Sequence, residues 1–488
     1  MYATYEKVEI QSENKFSQLV HGQNIVIIPE FTLQSGHTLH KVPVAYKTWG
    51  TVNENRDNVM IICHALSGSA DVQDWWGPLI GKGRAFDPTK FFIFCGNMFA
   101  SPYGTASPIT INPETGKYYG PEFPPTTPRD DVRLHKMILD SLGIKQVAIC
   151  IGGSMGGMQV LEWSFYGPNY VKTIVPIATS ARNSAWCISW NEAQRQSIYS
   201  DNKYCDGYYD HNDPPATGLS AARMSALLTY RSRDSFESRF GRKFHDPKNH
   251  PTATPSSKIR PSTPAEEALL IHNDGHRSEN ITSRENFLSK PKNCNGSESN
   301  NNVENRVETI DAKEWTENND NEHSTKSVPN VFSAQSYLRY QGEKFVKRFD
   351  ANCYISLTRK MDAHDVAKDR GDLEKVLISI KQPALIIGIE SDGLFTISEQ
   401  YELAEFIPNS EMVTIQSPDG HDGFLLEFDQ INRHILRFIR KFLPDIAENE
   451  LCDIKDVVGL DDDQKDVYGA EIKATKNSLF GEAEVIKW

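Results

Sequence analysis

The chain has 488 residues, and at about 150 residues per domain that makes two to three domain-sized pieces, which excludes a disulfide-stapled miniprotein. Lys and Arg number 52 against 65 Asp and Glu, a net charge of -13, so the positive field that nucleic-acid binding exploits is missing. Hydrophobic residues make up 39% and charged residues 24%, a globular balance, yet a mean hydropathy of -0.50 requires some stretch to be unusually polar.

At the N-terminus, MYATYEKVEIQSENKF has neither the basic nor the apolar region of a signal peptide, and no run along the chain reaches the ~18 apolar residues of a membrane span. The chain is expected to be neither secreted nor membrane-inserted. From 24 to 145, NIVIIPEF, VPVAYKTWG, VMIICHAL and FFIFCGN are β-branched or aromatic runs of strand length between turn residues. RLHKMILDSL, from Arg133 to Leu142, has helical spacing and ends at Gly143, and QVAICI follows as a buried strand. Strand, helix, strand at this rhythm predicts a mostly parallel sheet covered by helices, an α/β architecture. A helix over Gly157 to Tyr166 and the strand VKTIVPIATS continue it, giving a first core segment over 24–180.

Residues 181–370 change character. NEAQRQSIYS, LSAARMSALLTYRS and VFSAQSYLRYQGEKFVKRF predict helices with little strand signal, a helical insertion. Within it, about 246–330 is dominated by Asn, Ser, Thr, Glu and Pro without apolar periodicity, and such a segment reads as disordered. The α/β rhythm returns over 371–444 with QPALIIGIESD, a helix near SEQYELAEFI, the strand EMVTIQ and a last helix near DQINRHILRFIRKFL. The tail 445–488 carries twelve acidic and five basic residues, and the sequence assigns it no fold or role. Eight cysteines, at 63, 95, 150, 187, 205, 294, 353 and 452, are scattered without a CxxC pair, which predicts free thiols in a reducing compartment, the cytoplasm.

The sharpest chemical signal is Gly152-Gly153-Ser154-Met155-Gly156, a G-x-S-x-G directly after a predicted strand and before a predicted helix, the context of a nucleophile elbow. A serine hydroxyl is a weak nucleophile near neutral pH and needs a base, which in turn needs a third group to fix its tautomer. In elbow-type sheet enzymes the chain order is Ser, acid, His, each after a later strand. Asp392 follows ALIIGIES and His421 follows EMVTIQSPDG, so both satisfy order and position. Glu390, two residues from Asp392, is a rival acid that periodicity does not separate. His364 precedes the acid and follows no strand, and His434 lies within an amphipathic helix, so both read as structural or surface residues. The oxyanion needs two N–H donors: Met155 is one by position, and the Leu66 N–H in His64-Ala65-Leu66-Ser67-Gly68 is chosen as the other, although that stretch reads equally as a Gly-containing turn. GPLIGKG, Gly77 to Gly83, lacks the spacing and final hydroxyl of a phosphate loop.

Five blocks in one order, HALSGSADVQDWWGPLIGKGRAFD, CIGGSMGGMQVLEW, GLSAARMSALLTYRS, SYLRYQGEKFVKRFDANCYISLTRKMDAHDV and SPDGHDGFLLE, resemble the homoserine O-acetyltransferase family of α/β-hydrolase-fold enzymes, from about Ile25 to Phe442. The resemblance implies an α/β-hydrolase fold with a mostly parallel central sheet and an inserted helical lid. It also implies transfer of an acetyl group from acetyl-CoA to the side-chain hydroxyl of L-homoserine, through an acyl-serine and ping-pong kinetics, on the route to methionine. On the family's pattern Ser154 is nucleophile, Asp392 acid and His421 base. Arg223 and Asp422 contact the amino-acid substrate, and Tyr230 lies near the acyl group. No metal or resident cofactor is expected, acetyl-CoA being a co-substrate, and a homodimer through the lid helices is implied. The 246–330 stretch matches no family block. Succinyl-CoA or serine specificity, a plain esterase, and a silent scaffold are the competing readings.

Overall fold

VMIIC, FIFCG, VAICIGG and ALIIGI are buried at every residue, the pattern of strands covered by helices on both faces. The computed structural model describes residues 2–245, 263–276 and 331–460, with positions 465, 472, 478 and 479. It divides into one unit of Met1–Ala253 with Phe332–Trp488 and another of Thr254–Val331.

In the first unit the strands are β1 (Glu6–Val8), β2 (Asn24–Thr32), β3 (Thr38–Trp49), β4 (Val59–Cys63), β5 (Phe92–Gly96), β6 (Val147–Gly153), β7 (Val171–Ile177), β8 (Ala384–Ile389) and β9 (Ser410–Ile415). They form one sheet in the order β1-β2-β3-β5-β4-β6-β7-β8-β9. From β5 to β9 every neighbouring pair is parallel. The other end departs from the predicted rhythm: β1, β2 and β3 pair antiparallel, and β3 pairs antiparallel with β5. A five-residue connection leaves no room for a crossover helix; the Leu33 N–H donates to the His37 carbonyl at 2.8 Å and Gly36 takes a φ of 87°, closing a hairpin. The short strand β1 carried no sequence signal.

The helix predicted from Arg133 begins at Pro128 and runs to Ser141. Thr127 and Asp130 form a reciprocal capping box with Pro128 in the first turn, a start signal earlier than the apolar periodicity. Between β7 and β8 the first unit carries the helices Ala185–Tyr199, Ala216–Tyr230, Arg233–Arg239, Ser333–Val346 and Ala351–Asp362, with Leu373–Ile378 leading into β8. In the second unit one helix, Pro264–His272, is described. It falls within the stretch read as disordered and corrects that reading for these residues. Thr263 caps the Glu266 N–H and Pro264 opens the first turn, so a local TPxE start signal operates inside a polar composition. The remainder of 246–330, Cys294 included, lies outside the described residues.

The tail, left unassigned by the sequence, has its first part on the core. Ile454, Val457 and Leu460 are buried, the Leu451 N–H donates to the Thr89 carbonyl at 2.7 Å, and the Trp49 indole N–H to the Gly459 carbonyl at 3.1 Å. The seven described cysteines are all free. No helix among the described residues is long and apolar enough to cross a membrane.

One buried ion pair ties the lid to the core. Lys360 on the helix Ala351–Asp362 donates to both Asp131 oxygens at 2.8 Å and to the Phe99 carbonyl at 2.7 Å, and both side chains are fully buried. Burial pushes the Asp131 carboxyl up to about 6, against the pull of Lys360. Breaking such a pair strands a buried charge, whereas removing both partners does not. Lys360→Ala should therefore lower unfolding free energy by about 3–5 kcal/mol. Lys360→Met with Asp131→Leu should recover most of that loss, as urea denaturation followed by fluorescence would measure.

Candidate active site

Strand β6 ends at Gly153 and the helix Met155–Ser164 begins two residues later, so the whole reversal falls on Ser154. Its backbone sits at φ 56° and ψ -125°, a region that L-residues occupy only under constraint. The turn closes because Gly152 and Gly156 leave room: a Cβ at Gly152 would lie 2.6 Å from the Gly156 carbonyl oxygen, and one at Gly156 would collide with the Cys63 carbonyl on β4. The Ser154 N–H donates to the Ile177 carbonyl at 3.0 Å. Met155 is the first residue of its helix, so its N–H has no acceptor within the helix.

Asp392 lies in the loop after β8, buried at 5% exposure, whereas Glu390 is exposed. The Asp392 Oδ1 accepts the Leu394 and Phe395 N–H groups at 2.8 and 2.9 Å, and its Oδ2 meets His421 Nδ1 at 2.7 Å. Periodicity did not distinguish the two acids; the loop geometry does. His421 lies on the turn Gly420–Asp422 after β9. The Gly420 N–H there donates to Ser391 Oγ at 2.9 Å, and that hydroxyl donates to the Ser417 carbonyl at 2.6 Å. With Nδ1–H directed at a carboxylate, Nε2 carries the ring's lone pair. Burial would lower the imidazole's affinity for a proton, but the Asp392 carboxylate outweighs it and raises the His421 pKa above its ordinary 6.5.

Ser154 and His421 share one pocket, lined also by Leu66, Gly68, Trp75, Tyr230, Asp422 and Phe424. Leu66 therefore stands where the sequence placed it, on a loop at the end of β4. Asp422 is almost fully buried and pairs with Arg231, whose Nε is 2.8 Å from its Oδ2. Burial raises the Asp422 pKa, and the charges of Arg231, His421 and Arg223 oppose the rise. Arg223 does not line the pocket. It is 2% exposed, with its guanidinium 5.6 Å from the Tyr230 ring and 4.9 Å from the Phe345 ring. Burial raises the Tyr230 pKa, so the phenol stays protonated. His364 is buried against the Ser180 carbonyl at 3.0 Å, a structural histidine.

Sequence reasoning missed Arg231, Trp75 and Phe424. Arg231 stands beside Tyr230 in TYRS and could have been weighed as a partner for Asp422; the two aromatics carried no local signal beyond apolar character. Among the described residues no group of three or more His, Cys, Asp or Glu is disposed to hold a metal ion. Chemically, the site offers a serine on a strained turn, an imidazole oriented by a carboxylate, amide donors at a helix start, and a largely apolar enclosure. That set suits acyl transfer through a covalent serine ester.

Comparison with known proteins is consistent with this chemistry. The model of the alpha/beta hydrolase fold matches residues 58–428. Homoserine O-acetyltransferase of Emericella nidulans is 53% identical over 493 residues, covering 99% of this chain and 97% of that protein. The protein of that name from Saccharomyces cerevisiae is 51% identical over 488 residues, covering 98% and 97%. Among solved structures, homoserine O-acetyltransferase from Bacillus anthracis superposes with a TM-score of 0.63 at 20% identity over 88% of this chain and 98% of that one. The acetyl esterase MekB superposes at 0.60 with 22% identity over 89% and 99%. At these identities the superpositions speak to the fold alone.

The raised imidazole has a measurable consequence. The lone pair on Nε2 is available only above the His421 pKa, so labelling of Ser154 by a fluorophosphonate should fall as pH drops, with a midpoint above 6.5. In Asp392→Asn that midpoint should move below the wild-type value, with the plateau rate reduced by about 10⁴-fold. For stability the sign is opposite. The charged pair contributes fully below the unfolded-state value of 6.5 and its contribution is lost as pH rises through the raised folded value.

Proposed function

The chain belongs to the homoserine O-acetyltransferase family of the α/β-hydrolase fold, and from that premise we propose that it moves the acetyl group of acetyl-CoA to the side-chain hydroxyl of L-homoserine. One observation carries the chemistry: the 2.7 Å contact of Asp392 with His421 at the pocket that also holds Ser154. Ser154 Oγ attacks the thioester carbonyl carbon as His421 Nε2 takes its proton. The Leu66 and Met155 N–H groups hold the oxyanion. The C–S bond breaks, CoA leaves as the thiol with the proton from His421, and acetyl-Ser154 remains. Homoserine then enters, its hydroxyl oxygen attacks the acetyl carbonyl carbon as His421 removes the proton, and collapse of the second tetrahedral adduct breaks the bond to Ser154 Oγ, which takes that proton back from His421 as O-acetyl-L-homoserine leaves. Two half-reactions on one serine make the kinetics ping-pong.

In this reading Asp422, paired with Arg231 at 2.8 Å, receives the α-ammonium, and Arg223 beside Tyr230 favours the α-carboxylate. Trp75, Phe424 and Leu425 on the pocket wall disfavour water as a competing acceptor. The product belongs on the route to methionine. We place the enzyme in the cytoplasm, where the seven free thiols among the described residues would stay reduced. We also propose a homodimer through the lid, since Trp186, Ile188 and Leu228 are exposed on the helices Ala185–Tyr199 and Ala216–Tyr230.

Purified protein mixed with acetyl-CoA alone should release a burst of about one thiol per site as Ser154 is acetylated; continuous release should require L-homoserine, and Ser154→Ala should lower the turnover rate at least about a thousandfold. Continuous release that ignores homoserine would make the protein a thioesterase. Faster turnover with succinyl-CoA or L-serine would keep the mechanism and change the substrate. No release from folded protein would end the enzymatic reading. Asp422→Asn should raise the homoserine KM by about tenfold or more while leaving acetylation of Ser154 in the first half-reaction closer to wild type, as expected when a charge-assisted contact of about 1.5–3 kcal/mol is weakened.

A further inference from the structure

Gln400 lies outside the pocket and is completely buried, on the helix Ile397–Phe406 that follows the Asp392 loop. Its side-chain amide donates to the Thr179 carbonyl at 2.7 Å and, more weakly, to the Phe395 carbonyl at 3.4 Å. Each acceptor belongs to a different loop. Thr179, also fully buried, lies just beyond β7, and its hydroxyl donates to the Ser154 carbonyl at 2.9 Å. Phe395 is a residue whose N–H holds Asp392 Oδ1. One planar amide, with two donors in fixed relation, therefore spans from the serine turn to the acid loop.

We infer that Gln400 and Thr179 form a positioning bridge that sets the nucleophile turn and the acid loop in register with each other. The inference rests on the proposed roles of Ser154, Asp392 and His421. Ser154 is held in a strained conformation, and rotation of its peptide would relax the strain and swing the hydroxyl away from the base. The Thr179 hydroxyl opposes that rotation by adding a side-chain donor to a carbonyl that already accepts the Gly157 and Met158 N–H groups at 2.9 and 3.3 Å. The turn Thr179 belongs to is constrained as well, since Ala178 takes a φ of 43° while its N–H donates to the Ile387 carbonyl on β8 at 2.8 Å.

The other half of the Gln400 amide argues that the donors are what the position requires. Its Oε1 is buried without a hydrogen-bond partner among the described residues, a burden that an apolar side chain of similar size would avoid. A position needed only for packing has no reason to carry it. The small residue facing Thr179 fits the same picture, because a Cβ at Gly157 would lie 2.6 Å from the Thr179 side chain.

The test reads acylation of Ser154 by p-nitrophenyl acetate in the full-length protein, so it needs no amino-acid acceptor. Gln400→Met keeps the volume and removes both donors. It should slow acylation by about ten- to a hundredfold, the penalty for misplacing a reacting group by a fraction of an ångström to an ångström. It should also move the acid-side midpoint of the rate below the wild-type value, because a slackened acid loop supports the imidazolium less. Thr179→Val should lose a similar factor and Thr179→Ser should retain the wild-type rate. The double variant of Gln400→Met with Thr179→Val should be no slower than the worse single one. A folded Gln400→Met with wild-type rate and pH profile overturns the bridge. So do losses that multiply in the double variant, or a loss that follows thermal stability with the midpoint unmoved. If Gln400→Met does not fold, the contrast between Thr179→Ser and Thr179→Val decides. Wild-type protein that is not acylated at Ser154 would instead overturn the role of that serine, and the bridge with it.

Discussion

The feature on which the site depends is one residue of backbone. Ser154 reverses the chain from β6 to the helix Met155–Ser164 at a positive φ, and the surroundings must hold it there. Bare backbone at Gly152 and Gly156 lets the helix start press against the end of β4, close to the Cys63 carbonyl. This closeness brings the β4 loop with Leu66 to the same pocket as Ser154. Local strain, sheet order and the position of the amide donors are consequences of a single tight turn.

Around that turn the structure separates charges that sequence alone leaves equivalent. Asp392 accepts two backbone N–H groups and meets the His421 ring. Glu399, in the next helix, has the opposite surroundings: burial and the charge of Asp392 push its carboxyl up to about 7. Near neutral pH Glu399 is thus substantially protonated. Asp422 is handled differently, with Arg231 at 2.8 Å countering the desolvation that raises its pKa.

Much of this was legible in the sequence, for identifiable reasons. The parallel strands were readable because burial on both faces forces continuous apolar runs such as VAICI and ALIIGI, and Ser154, Asp392 and His421 were readable because chain order and strand ends constrain them. The antiparallel direction of β2 and β3 was not readable, because strand signals do not state direction. The helix Pro264–His272 was missed because its capping residues sit within a polar composition. Contacts that depend on tertiary approach left no local trace: Arg231 against Asp422, Phe424 against Gly153, and the Gln400 amide between two loops. Arg223 was placed by motif on the right helix, but its aromatic packing and absence from the pocket wall required coordinates.

The lid does more than cover the pocket. The Trp186 indole N–H donates to the Gly393 carbonyl at 2.8 Å and the Cys187 thiol to the Leu394 carbonyl at 3.2 Å, so the start of the first lid helix grips the loop that carries Asp392. At the other edge, Arg231 and Ser235 both bind Asp419 Oδ1, at 2.8 and 2.6 Å, and Ser232 donates to the Pro418 carbonyl, holding the loop that carries His421. Residues of the helical insertion therefore support the loops that carry Asp392 and His421. Displacing the lid to admit water would loosen the loops that carry Asp392 and His421. A site in which enclosure and activation depend on the same contacts is suited to passing an acyl group to a bound acceptor in preference to solvent.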